Sequence, residues 1–158
     1  MPRGQQIERT RADEFRLRLS RAERELLREL PAQLSILLEA DSEDPALRRL
    51  FPPGYQDDPK GEAEYRRLMR EELLDGRLEA LRVLEGTADR DVLNNEEIQA
   101  WLVALNALRL VLGTRLDVPE DLSEGDFDPA DPHAYELAVY AYLSWLQEQA
   151  VAAVAADL

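Results

Sequence analysis

Between Ile98 and Leu112 the chain carries apolar residues in almost every direction around a helix axis, with one charged side chain, Arg109, among them. At ~100° per residue, Ile98, Trp101, Leu102, Leu105, Leu108 and Leu112 form one stripe. Val103, Ala104, Ala107, Leu110 and Val111 make the opposite side apolar too. A helix that is hydrophobic all round has to be enclosed by other elements. The segment is therefore expected to be the hub of a helical domain. The 158 residues, 45% of them hydrophobic, suffice for one domain with its own core.

The punctuation along the chain supports that architecture. Residues 1–12 are polar and read as a flexible N-terminus, leaving 13–158 as the single helical domain. Phe15 to Leu19 alternates with period two, the pattern of a short half-buried strand. Ser20 and Glu23 then have the spacing of a capping box, in which each side chain accepts from an otherwise unpaired backbone N–H. Leu26, Leu27, Leu30, Leu34, Leu37 and Leu38 keep helical spacing across Pro31, where a kink is expected.

Asp44-Pro45, Asp58-Pro59 and Asp131-Pro132 are three further helix-start signals. They predict a short helix over 46–51, a long one through Leu68 to Leu84 that Gly76 interrupts, and a last helix carrying Tyr135, Val139, Tyr142, Leu143 and Leu146. Asn94 and Glu97 repeat the capping-box spacing after a second short strand over 89–93, and Gly113 is placed to end the hub helix. The expected fold is mainly all-α, with five or six helices and a small two-stranded ribbon.

Charge is unevenly distributed. The net charge is −14, yet residues 1–30 hold eight arginines against six acids, whereas residues 117–158 hold ten acids and no Lys or Arg. Such a balance disfavours strong autonomous binding to nucleic-acid phosphates and to anionic membranes, so DNA contact is expected to be weak or indirect. The acidic C-terminal third suits a basic partner. Zero cysteines exclude thiolate chemistry and Cys-ligated metals from these residues. The first residues lack the apolar core of a signal peptide, and nowhere do about 18 apolar residues run together. A soluble, cytoplasmic protein is expected.

A search for catalytic constellations points away from enzymes. His133 is the only histidine, the serines sit in no nucleophile elbow, and there is no glycine-rich phosphate loop. Asp126, Asp128 and Asp131 resemble calcium ligands, but Ala130 occupies the next ligand position. No catalytic residue, cofactor or metal is expected. Arg66, Arg67 and Arg70 are interleaved with Glu62, Glu64, Glu71 and Glu72 and read as intrahelical pairs. Arg9, Arg11, Arg16 and Arg18 are the better candidates for meeting phosphate.

Arg109 is the one charge inside an apolar stripe, and an unpaired buried guanidinium is costly. The structural reading is an ion pair with Asp75 or Glu72 of the preceding long helix. The functional reading is a pocket for an anion or a partner's carboxylate, lined by Arg109, Asn106 and Arg115. Arg48, Arg49, Phe51, Tyr55 and Trp145 are the candidates for partner contact, because arginine and aromatic side chains dominate interface hot spots. The Ala- and Val-rich tail after Gln149 offers a slim surface for close packing, with a homodimer as one outcome.

Several blocks together resemble a known family: LRELPAQL from Leu27, DPALRRLFPPGYQDDP from Asp44, YRRLMREELLDGR from Tyr65, AWLVALNALRLVLGTRL from Ala100 and YAYLSWLQE from Tyr140. Their order and spacing, from about Phe15 to Val151, are similar to an actinomycete family catalogued as a domain of unknown function. Some of its members are described as oxidative-stress transcriptional regulators. The resemblance implies a cytoplasmic regulator acting through a transcription partner such as a sigma factor or RNA polymerase. It also keeps open an adaptor role in Clp-type proteolysis, and it carries no catalytic residues to transfer. The redox behaviour proposed within the family relies on cysteines, which this chain lacks.

Overall fold

In the computed structural model, the described residues are 5–40, 45–47, 50, 61–116, 130 and 132–156. They form four α-helices and one small antiparallel sheet, in the order β1 (Ile7–Arg11), β2 (Glu14–Leu17), α1 (Arg21–Ala40), a 3₁₀ turn (Pro45–Leu47), α2 (Gly61–Thr87), β3 (Val92–Leu93), α3 (Asn95–Leu116) and α4 (Ala134–Ala155). The mainly helical class is as expected, with four helices among the described residues in place of five or six. No helix among the described residues is long and apolar enough to cross a membrane.

α3 is the hub. It packs against α2 on one side and α4 on the other, and it also meets α1, β2 and the 3₁₀ turn. Ile98, Trp101, Ala104 and Leu105 have no exposure at all. The enclosure is not complete, however. Val103 is 47% exposed, and Leu110 is only half-buried.

Both capping boxes form. At α1 the Glu23 N–H donates to Ser20 Oγ (3.1 Å) and the Ser20 N–H to Glu23 Oε2 (2.7 Å). At α3 the Glu97 N–H donates to Asn94 Oδ1 and the Asn94 N–H to Glu97 Oε1, each at 2.8 Å. These bonds satisfy helix-end donors and fix the direction in which each helix leaves the sheet.

Two sequence-based boundaries are corrected. α2 runs straight through Gly76, around which a Cβ would meet open space. α3 continues past Gly113 to Leu116. Of the short helix expected over 46–51, residues 48, 49 and 51 lie outside the described residues, and Pro45–Leu47 form a 3₁₀ turn. α1 is continuous through Pro31, which lies on the same buried stripe as Leu27, Leu34 and Leu38. The Asp58-Pro59 and Asp131-Pro132 signals involve residues outside those described. α4 begins at Ala134 with His133 as its N-cap, which makes no side-chain capping bond.

The ribbon has three strands, not two. β2 is central, with Phe15 opposite Arg9 on one side and Leu93 on the other. β1 lies inside the segment read as a loose terminus. Its only apolar residue is Ile7, which is fully buried with Phe15, Leu17 and Leu93 on the face covered by the helices.

Arginines of β1 and α1 tie distant parts of the chain together. Arg9 Nη1 donates to the carbonyls of Ala156 (2.9 Å) and Val154 (3.4 Å) at the end of α4, while its guanidinium lies 5.8 Å from the Phe15 ring centroid. Arg24 donates to the carbonyls of Arg90 (2.6 Å) and Ala88 (3.1 Å) just beyond α2, and to Asp91 (3.2 Å). Cationic donors at such carbonyls complement groups that a helix end leaves unpaired.

Inside the core, the Trp101 indole N–H donates to Thr87 Oγ1 at 2.7 Å, and that hydroxyl donates to the Val83 carbonyl at 2.6 Å. The chain of bonds lets a large polar-edged ring be buried at the α2–α3 contact. Thr87→Val keeps the shape but strands the indole donor, so it should lower stability by about 1–3 kcal/mol. Urea unfolding measures this, and an unchanged midpoint would contradict it.

Candidate functional site

The most structured polar cluster outside the helix ends is built around Arg109. From α3 its guanidinium donates to Asn106 Oδ1 one turn away (Nη2, 3.0 Å) and reaches across to α4, where Gln147 Oε1 (Nε, 3.1 Å) and the hydroxyl of fully buried Tyr140 (Nη1, 3.4 Å) accept. Tyr140 and Gln147 are seven residues apart on α4, two helical turns, so they share a face and bracket the arginine.

The site residues expected together are only partly brought together. Asn106 joins Arg109, but Glu72 and Asp75 are exposed side chains on α2 and accept none of these bonds. The acceptors above are neutral oxygens from α3 and α4. Arg115 is exposed and lines a different feature, a half-open apolar cleft of about 80 Å³ between α1, α3 and α4. Leu30, Leu34, Leu37, Leu108, Val111, Leu112 and Leu143 form its walls, with Gln33 beside Arg115. Sites that engulf a small-molecule ligand measure ~300–1,000 Å³, so the cleft is far too small for one.

Trp145 is half-buried on α4, with its ring centroid 6.0 Å from that of Tyr142, and packs on the edge of the core. The other partner-contact candidates, Arg48, Arg49, Phe51 and Tyr55, lie outside the described residues, as do Asp126, Asp128 and Asp131. His133 is exposed at the start of α4. Among the described residues no three His, Asp or Glu side chains are grouped as metal ligands would be. Of the N-terminal arginines, Arg9 is engaged with α4 and Arg18 pairs with Glu8 at 2.6 Å, while Arg11 and Arg16 face solvent.

Gln147 and Tyr140 were not singled out from the sequence. Their seven-residue spacing was readable, but helical periodicity does not say which helix lies beside Arg109. The signal that could have found them is that α4 is almost free of charge and carries two amides, Gln147 and Gln149, of which Gln147 is spaced two turns from Tyr140.

These features define a mainly helical domain whose polar side chains around Arg109 engage one another rather than converge on a ligand-sized cavity. Residues 4–154 match the model of the family described as domain of unknown function DUF2017, and the chain belongs to that family. It is similar to the putative oxidative stress regulator AosR of Mycobacterium leprae, 33% identical over 135 residues, which are 72% of this chain and 60% of that protein. The oxidative stress regulators AosR of Mycobacterium bovis and Mycobacterium tuberculosis are each 34% identical over 129 residues, covering 68% of this chain and 57% of theirs. The matched part thus spans about three-fifths of these relatives' length. No solved structure matches.

The Arg109 network generates a direct test. Arg109→Met and Gln147→Leu should each destabilise the fold, and together they should lose less than the sum, with a coupling of about 0.5–2 kcal/mol in a double-mutant cycle. Strict additivity in denaturant unfolding would show that the bond between them contributes nothing.

Proposed function

We propose that this chain is a non-enzymatic regulatory protein, associated with transcription and working through protein contacts, for example with a sigma factor or RNA polymerase. The observation that carries this reading is the state of its polar groups. Arg109 is bonded to Asn106, Tyr140 and Gln147, and the apolar cleft that Arg115 lines is too small to engulf a metabolite. That favours surface recognition over an Arg109 pocket. The similarity to proteins named oxidative stress regulators supports a regulatory role.

Charge supports protein rather than nucleic acid as the partner. A net charge of −14 opposes approach to a phosphate backbone, and within the arginine-rich N-terminal region Arg9, Arg24 and Arg28 are held by the fold. A stress signal cannot be received as a disulfide within these residues, because they include no cysteine. A signal carried by thiol oxidation would have to reach these residues through a partner.

Affinity capture with the tagged chain from its native cytoplasm should enrich polymerase subunits or a sigma factor. The purified chain alone should leave promoter DNA unshifted at physiological salt. Enrichment of Clp components would transfer the assignment to a proteolysis adaptor, and tight autonomous promoter binding would overturn the protein-contact mechanism.

A further inference from the structure

We propose that the outer face shared by α3 and α4 is a self-association surface, on which a second copy of this chain docks about a two-fold axis. The bonds from Arg109 to Asn106 and Gln147 set the outward stripes of the two helices side by side. One turn beyond those amides, toward the same end of the helix pair, Val103 of α3 is 47% and Val151 of α4 is 52% exposed. Leu110 is half-buried on the same stripe of α3 as Val103 and Asn106. This is where the all-round apolar character of α3 is left facing water.

Charge selects the occupant. Away from Glu96, Glu97 and Arg115 at its ends, α3 carries one charge, Arg109, and α4 carries two, Glu136 and Glu148, whereas 33% of the whole chain is charged. Two molecules of net charge −14 repel each other, and this nearly neutral face is where a second copy meets the least repulsion. A strongly basic partner would gain more on the acidic surfaces elsewhere.

Size and hydrogen bonding are compatible with a dimer. Helices of 22 residues are about 33 Å long, and two of them side by side, with axes ~8–10 Å apart, present a face on the order of the ~800 Å² per partner of a stable interface. The amide oxygens of Asn106 and Gln147 accept from Arg109, while their NH₂ groups donate to no described residue. Both remain available to acceptors on the second copy.

Sedimentation equilibrium over a dilution series of the full chain should show reversible growth toward twice the 18.0 kDa chain mass. Val103→Glu with Val151→Glu should weaken association by roughly tenfold or more while leaving the helical circular dichroism unchanged. Because the chain has no cysteine, single-cysteine variants provide a test that does not depend on destabilising the face. Val103→Cys and Val151→Cys should cross-link between chains with a bis-maleimide. Ile36→Cys, on the exposed side of α1, should not. A mass fixed at one chain at every concentration would overturn the proposal, as would cross-linking at Ile36→Cys alone or association unaffected by the paired glutamates. None of these readouts depends on which regulatory partner the protein meets.

Discussion

Enclosure of α3 is the constraint from which the rest of the structure follows. Its inward side chains include Ile98, Trp101 and Leu105, all fully buried, and each large apolar side chain removed from water contributes ~1.5–3 kcal/mol. α2 and α4 are held against opposite sides of it, and α1 closes over α2. Within this core Thr87 accepts the hydrogen bond of the buried Trp101 indole N–H.

The sheet works as a clasp at the ends of the helices. Its inner face adds Ile7, Phe15, Leu17 and Leu93 to the core, and arginines of β1 and of the neighbouring α1 reach carbonyls at or just beyond the ends of α4 and α2. Arg9 binds the end of α4, Arg24 the end of α2, and Arg28 pairs with Asp89 in the turn before β3. Of the four arginines that look available for phosphate in the sequence, Arg9 joins distant parts of the chain and Arg18 pairs with Glu8, while Arg11 and Arg16 face solvent.

The parts of this fold written in local sequence were legible before any coordinates. The two capping boxes, at Ser20/Glu23 and Asn94/Glu97, use side chains three residues apart and form as spaced. The period of Phe15 and Leu17 marked β2, and the composition of 98–112 marked the hub. What was not legible depends on contacts between distant residues. β1 has one apolar residue and exists because β2 pairs with it. Gly76 and Gly113 sit inside helices whose tertiary packing outweighs a propensity cost of ~1 kcal/mol each. The candidate site shows the same division: the sequence marks Arg109 as needing partners, but it does not mark Gln147 and Tyr140 of α4, which are among the acceptors the arginine meets. Asn106, one turn away on the same helix, was readable.

Native-state hydrogen exchange across α3 tests the central claim most directly. If the hub helix opens only when the whole domain unfolds, the amides from Trp101 to Leu108 will be among the slowest in the protein, and their opening free energy will equal the stability measured by denaturant. Exchange of those amides through local opening, faster than the amides of α1 or α4, would contradict a fold organised around this helix.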